Sequence, residues 1–359
     1  MLSVDLHHPM QGFDLDVTFD APPGLTVLFG RSGSGKTTVI NAVAGLLRAK
    51  QAQIIVNGQT LSDTETGLWL PPHKRRLGYV FQEGRLFPHL TVKQNLRFGQ
   101  WFAPKDAPRE DMARVVEMLG IGPLLHRRPA SLSGGEKQRA AIGRALLASP
   151  RLILADEPLA ALDEARKAEI LPYFERLRDE TDIPILYVSH SPAEVARLAT
   201  TLIALDGGRV ARQGPAVQVL GDPMFTPDGV RSVGAVIEAQ VARHHDDGLS
   251  ELSAGDDRLF LPNVGLASGT PLRVRIAAQD VMLSLEKPSG ISALNVLAGR
   301  IDQVRSGEGP GAIVSLDTSA GRVLARVTRR SVDAMGLQPG LTVYAVVKTV
   351  SIAPQDVGG

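Results

Sequence analysis

The chain has 359 residues, more than the roughly 250–300 at which a single hydrophobic core stops growing, so at least two domains are expected. Lys and Arg total 39 against 38 Asp and Glu, a near-balance without the basic bias that a nucleic-acid partner leaves, which sets nucleic acid aside. There is no cysteine, so disulfides and thiolate metal sites are excluded and a reducing compartment fits.

The start, Met1-Leu2-Ser3-Val4-Asp5, lacks the basic residues and apolar run of a secretory signal and alternates like a strand; it reads as a cytoplasmic N-terminus. No apolar run approaches the ~20 residues needed to span a bilayer, so a role at a membrane is expected to be exercised from its surface. A strand is predicted at Leu25–Phe29 and a helix at Thr37–Leu47. Between them Gly30-Arg31-Ser32-Gly33-Ser34-Gly35-Lys36-Thr37 matches GxxxxGK[ST]. Its glycines let backbone N–H groups turn inward toward a β-phosphate, where the positive helix end also favours an anion. Lys36 would supply a point charge to the β- and γ-phosphates and Thr37 a hydroxyl to Mg²⁺. The motif alone is shared by GTPases, kinases and motors, but no Asn-Lys-x-Asp guanine-reading motif occurs.

Further along, a strand is predicted at Leu77–Phe81, followed by Gln82, and a helix at Arg109–Leu119 with Met112, Val115, Val116 and Leu119 on one face. Leu132-Ser133-Gly134-Gly135-Glu136 opens a helix predicted over Glu136–Ala148. Read locally, Ser133 is an N-cap and Glu136 completes a capping box. That reading leaves Gly134 and Gly135 unexplained, since each lowers helix propensity by ~1 kcal/mol relative to alanine. They expose bare N–H groups at a helix end, as a second phosphate-binding end would require.

The predicted strand Leu152–Ala155 runs into Asp156-Glu157-Pro158, which places two carboxylates at the carboxyl edge of a buried strand, where open α/β sheets bind ligands. Asp156 suits Mg²⁺, and Glu157 suits orienting and deprotonating an attacking water. A helix at Glu164–Asp179, a strand at Ile185–Ser189, His190, a helix at Pro192–Leu198 and a strand at Thr201–Asp206 complete an α/β pattern. Ser191-Pro192 after His190 reads as an N-cap and first helical residue.

A cluster of turn formers at Gly221-Asp222-Pro223 and Thr226-Pro227-Asp228-Gly229 then marks a domain boundary. Beyond it the text is strand, turn, strand: Ala235–Arg243, Arg258–Leu261, Leu272–Ile276, Val281–Leu285, Val296–Val304, Ala312–Leu316, Arg322–Val327 and Thr342–Ile352. A small β-barrel or sandwich is expected there. Three segments follow from this: an α/β nucleotide-binding domain over 1–230, a β-rich connecting region over 231–289, and a β domain over 290–356. The eight histidines show no ligand spacing, and the pairs His7-His8 and His244-His245 read as solvated loop or strand-end residues.

Taken in order and spacing, the P-loop, Gln82, the Leu-Ser-Gly-Gly segment, Asp156-Glu157, Ala161-Leu162-Asp163 and His190 resemble the ATPases of ABC transporters. The resemblance implies that Gly30 through Lys36, Thr37 and Thr38 hold ATP, and that Ser133, Gly134 and Gly135 complete the site of a second copy. It further implies that Gln82 senses Mg²⁺ and the attacking water, that Asp163 links the two sites, and that His190 contacts the γ-phosphate. With one P-loop and one such segment, a homodimer is implied. Adenine stacking on an aromatic residue before the P-loop is assigned to Phe13 or Phe19.

Phe87-Pro88-His89-Leu90-Thr91-Val92 with Asn95 resembles importers at the surface that receives a coupling helix of a membrane permease subunit. Within that group the chain resembles ATP-binding subunits of molybdate importers. The features are Glu136, the segments Lys74–Gln82 and Gly143–Leu147, and Ile291-Ser292-Ala293-Leu294-Asn295-Val296-Leu297, which is similar to the start of an OB-like, Mop-type module. The resemblance implies a peripheral subunit on the cytoplasmic face of the inner membrane, working with permease subunits and, indirectly, a periplasmic or extracellular oxyanion-binding protein. It implies molybdate as cargo, with tungstate or sulfate as alternatives, and a soluble non-transport ATPase as the remaining one. In the Mop-type turn Ser292 and Asn295 are the candidate oxyanion contacts; a plain dimer-stabilising β unit is the other reading, since Leu294 stands where an arginine is common.

Overall fold

A computed structural model describes residues 1–102, 110–160, 162–222, 233–306 and 310–358. Arg109, Ala161, Pro223 and the Thr226–Gly229 turn cluster lie outside the described residues. The chain divides into two compact units, Met1–Ser191 with Leu198–Gly214, and Pro192–Arg197 with Pro215–Gly359.

The first unit is built on an eleven-stranded sheet. Its strands are β1 (Leu2–Pro9), β2 (Asp14–Ala21), β3 (Leu25–Phe29), β4 (Gln51–Val56), β5 (Gln59–Asp63), β6 (Leu68–Trp69), β7 (Leu77–Val80), β8 (Leu152–Asp156), β9 (Ile185–Ser189), β10 (Thr201–Asp206) and β11 (Arg209–Pro215). They lie in the order β6-β5-β4-β1-β2-β11-β10-β3-β9-β8-β7. From β10 to β7 neighbouring strands run parallel, and β3 and β9 are buried at every residue, as strands covered on both faces must be. The β1–β2 and β1–β4 pairs are antiparallel, and β2 alternates exposed and buried residues without a break. The sequence reading found only the first of these antiparallel strands, because β2, β4 and β5 put charged and amide side chains on alternate positions that read as loop.

Helices α1 (Lys36–Ala44), α2 (Val92–Phe102), α3 (Met112–Met118), α4 (Gly134–Leu146), α5 (Glu164–Glu180), α6 (Pro192–Leu198) and α7 (Ala216–Leu220) follow in chain order. α1 stops earlier than expected because Gly45 takes a left-handed φ of 76° and returns its N–H to the last turn. α2 was missed, although Thr91 and Gln94 cap its start reciprocally, a signal present in the sequence. Asn95 on α2 is fully buried and binds the backbone of Phe87, Leu90 and Thr91, so it shapes the preceding loop from within.

The second unit is all antiparallel β apart from short helices. One five-stranded sheet has the order β14-β13-β12-β15-β21 and the other β16-β20-β17-β18-β19. Their strands are β12 (Gly234–His244), β13 (Leu249–Ala254), β14 (Asp257–Pro262), β15 (Pro271–Ala277), β16 (Val281–Ser284), β17 (Asn295–Ser306), β18 (Gly311–Thr318), β19 (Gly321–Thr328), β20 (Thr342–Val347) and β21 (Val357–Gly358). Ile237, Leu252 and Val274 from the first sheet and Leu297, Val314 and Val343 from the second share one core. A helix α8 (Arg329–Met335), capped by Thr328 and closed by Gly336, stands where no helix was expected.

Candidate active site

Sheet order puts β3 beside β9, β9 beside β8, and β8 beside β7, so the P-loop after β3, His190 after β9, Asp156-Glu157 at the end of β8 and Gln82 after β7 leave the sheet along one edge. The P-loop folds tightly. A side chain at Gly30 would put its Cβ 2.3 Å from the Leu205 carbonyl, and at Gly35 2.6 Å from Leu15 Cδ1 with φ at +99°. Only glycine fits either position. Arg31, Ser32 and Gly33 are exposed at the tip, and Ser34 is buried with a hydroxyl lacking any hydrogen-bond partner among the described residues. Lys36 is only 4% exposed, and its ammonium donates to the carbonyls of Gly30 at 2.7 Å and Arg31 at 2.8 Å, which holds the charge across the loop. Thr38 turns aside, toward Met10 Sδ at 3.7 Å.

Asp156 takes the hydroxyl of Tyr79 on Oδ2 at 3.3 Å, while its Oδ1 is buried without a partner among the described residues. Burial raises its pKa above the usual carboxylate range; the Tyr79 hydroxyl opposes this, Glu157 adds to it, and Thr37 and Lys36 are close enough to oppose it further. Tyr79 is itself raised, by burial first and then by Asp156. Sequence reasoning did not give Tyr79 a role; its position three residues before Gln82, on the strand next to β8, was the available signal.

Glu157 has a positive φ of 44°, a strained conformation for this residue type, and its N–H is fixed to the Val188 carbonyl at 3.1 Å. This turns its carboxylate toward His190, whose Nδ1 stands 3.3 Å from Oε2. The two are thus brought together from adjacent strands. Gln82 is exposed and makes no hydrogen bond among the described residues.

The Ser133 segment forms the capping box expected. The Ser133 hydroxyl accepts from the Glu136 N–H at 3.2 Å, and the Ser133 N–H donates to Glu136 Oε2 at 2.7 Å. That backbone hydrogen bond is the main reason the Glu136 carboxyl lies below its usual range. Helix α4 begins two residues earlier than expected, at Gly134. Cβ atoms at Gly134 and Gly135 would stand 3.2 Å from Leu162 and 3.3 Å from Ile170, so the glycines also permit close packing. Ser133 and Gly134 remain exposed, and no hydrogen bond among the described residues joins them to the P-loop of the same chain. Asp163 caps α5 through the Arg166 N–H at 2.9 Å. A cavity of about 480 Å³ lies between the Gln82 loop and the start of α4, lined by Gln82, Gly84, Leu86, Pro88, Gly134 and Leu162 among others.

Two expectations are corrected. Phe19 is 3% exposed in the core of the first unit and cannot stack on a base, whereas Phe13 is half-buried in the loop before β2. Asn295 is fully buried, with its carbonyl taken by the Phe260 N–H at 2.7 Å and its amide by the Phe260 carbonyl at 3.0 Å. It is a clamp on β14 rather than an open oxyanion contact. Ser292 is exposed.

The profile of the ABC transporter family matches residues 15–160, and that of the TOBE domain matches residues 291–354. A molybdenum import ATP-binding protein ModC of Mesorhizobium japonicum is 52% identical over 99% of this chain and 96% of its own length. The protein of that name from Rhizobium meliloti is also 52% identical, over 98% of this chain and 99% of its own. The chain belongs to the molybdenum import ATP-binding protein family. Among solved structures, cbiO1 from Clostridium perfringens, described as part of the ABC transporter complex cbiONQ, aligns with a TM-score of 0.53 at 25% identity, covering 62% of this chain and 90% of that one. As a member of this family the chain is an ATP-binding, ATP-hydrolysing transport ATPase with a P-loop domain followed by an OB-like β domain.

Proposed function

We propose that the chain is the ATP-hydrolysing subunit of a molybdate importer and works as a homodimer on the cytoplasmic face of the inner membrane. Relatives named for molybdenum import, aligned over nearly the whole chain, support the cargo. The TOBE match from 291 supports a module beginning near residue 290, within a unit whose two sheets share one core. No helix among the described residues is long and apolar enough to cross a membrane, which fits a peripheral subunit bound to permease subunits and, through them, an oxyanion-binding protein.

One observation carries the catalytic reading: Glu157 and His190 lie 3.3 Å apart beside a carboxylate whose buried oxygen has no hydrogen-bond partner among the described residues. An orphaned carboxylate oxygen next to a threonine hydroxyl is an all-oxygen donor pair suited to Mg²⁺, so Asp156 and Thr37, with Gln82, are the residues that would hold the ion. The ion would supply positive charge to the β- and γ-phosphate oxygens. Lys36 and the P-loop N–H groups bind the same phosphates, and Glu157 accepts a proton from the attacking water. His190 orients that carboxylate and faces the γ-phosphate. Ser133, Gly134 and Gly135 are left for the nucleotide of a second copy, with Asp163 near the junction, and Phe13 is the remaining adenine partner. The cavity between Gln82 and α4 suits the coupling helix of a permease.

Uptake of isotopically labelled molybdate by cells lacking this chain tests the cargo. Loss of molybdate uptake, restored by the chain but not by a Glu157→Gln variant, is the expected result. Unchanged molybdate uptake with lost tungstate or sulfate uptake reassigns the cargo, and unchanged uptake of all three removes the transport role.

A further inference from the structure

The Gln82 loop is attached to α4, the helix that begins with the Ser133 segment, at both of its ends. Gln138, 2% exposed, donates its amide to the carbonyl of Phe81 at 3.1 Å, directly before Gln82. Two turns along α4, Arg144 donates to the carbonyls of Arg85 at 2.9 Å and Gly84 at 3.4 Å, with its guanidinium carbon 5.4 Å from the centre of the Phe87 ring. Between these points the loop lies on the helix backbone: a Cβ at Gly84 would stand 3.0 Å from the Lys137 carbonyl. Gln82 is bracketed by carbonyls that belong, mechanically, to α4. Its own side chain is exposed.

We propose that Gln138 and Arg144 are positioning residues that make the Gln82 loop travel with α4, so that approach of the Ser133 end to a phosphate also delivers Gln82 to the attacking water. This rests on the reading of Gln82 given above. A carbonyl held by a buried donor is costly to release, because in a low-dielectric setting the broken partner is left without water to replace it. With Gln138 as one such point, and the half-buried, charged Arg144 as a second hold on the other side of Gln82, the loop loses the independent motion a surface loop otherwise has. Displacing a catalytic group by about 1 Å is enough to lower a rate by about a hundredfold, so loss of the attachment is read in turnover rather than in nucleotide binding.

The absence of cysteine allows a single nitroxide label at Glu83→Cys, on the exposed part of the loop. In the full-length chain the label is expected to be restricted, and to become mobile when Gln138→Met and Arg144→Met are combined. The same double variant, without the label, is expected to lose about tenfold to a hundredfold in kcat with the MgATP dissociation constant within about threefold, and Arg144→Lys to recover part of the rate. A label whose mobility does not change in the double variant overturns the attachment. A fall in kcat matched by equal losses in MgATP binding and in thermal midpoint overturns the positioning role, since general unfolding then explains it. Should Gln82→Ala hydrolyse at the full rate while the double variant frees the label, the role of Gln82 fails and the attachment stands.

Discussion

The nucleotide unit and the β unit each carry a short polar segment that looks like an anion site, and they differ in what their side chains have left to offer. In the first, Asp156 Oδ1 has no partner among the described residues, and Thr37, Ser133 and Gln82 are exposed. In the second, Asn295 is fully buried and both ends of its amide are engaged by Phe260. A donor or acceptor can serve a ligand only with capacity the fold has not already used. By that measure the first segment retains capacity for a ligand, whereas Asn295 in the second is already used as a joint between β17 and β14.

The largest effect expected from this contrast is at Glu157. Replacing its carboxylate by the amide in Glu157→Gln removes the proton acceptor but keeps the shape, so kcat is expected to fall by about 10²–10⁴, or about 3–5 kcal/mol of barrier. MgATP binding and thermal midpoint should stay near those of the parent. Steady-state hydrolysis alongside equilibrium nucleotide binding measures this, and near-normal turnover would remove Glu157 from the mechanism.

The counterpart in the β unit is Asn295→Ala, with the opposite profile. The substitution leaves the N–H and carbonyl of the half-buried Phe260 without this partner, which costs about 1–3 kcal/mol in all. Denaturant unfolding of the full chain should show the loss, with kcat within about twofold of the parent. A rate that drops while stability holds would reverse the contrast between the units.

A pH dependence sharpens it further. Glu251 on β13 is held by hydrogen bonds from Arg258 and Arg243 first, and from His245, which carry its pKa from the ordinary 4.5 down to about 2. Because the folded value lies below the unfolded one, this contribution to stability is complete above pH 4.5 and is lost as pH falls toward 2. Acid unfolding followed in the parent and in Glu251→Gln should therefore show a constant stability difference above about pH 4.5 that shrinks as pH falls toward 2, the variant showing the flatter curve.

How much of this was legible in the sequence depended on where each residue's signal lay. The P-loop, the capping box at Ser133 and the Asp156-Glu157 pair were readable because each is local: its residue types and spacing are themselves the physical requirement. The parallel strands β3, β8 and β9 were readable as continuous apolar runs. The hairpin strands β2, β4 and β5 were not, since polar residues on alternate positions look the same in a strand and in a loop. Asn295 and Tyr79 were misjudged or missed for one reason. Their partners, Phe260 and Asp156, are 35 and 77 residues away, and only the fold brings them into reach, by contact between strands of two sheets in the first case and by the β7–β8 pairing in the second.

The smallest stability change, and the one that separates two roles at a single atom, is at Ser133. As the N-cap of α4 its hydroxyl accepts from Glu136, so Ser133→Ala should cost about 1 kcal/mol of stability. Aspartate caps a helix about as well as serine, and its charge suits a helix N-terminus, so Ser133→Asp should restore that stability. A phosphate approaching the same helix end meets a carboxylate in place of a hydroxyl and is repelled. If Ser133 serves only as a cap, Ser133→Asp hydrolyses ATP like the parent. If it also faces the nucleotide of a second copy, the Asp variant is as stable as the parent yet slower than Ser133→Ala, an ordering that capping alone does not produce.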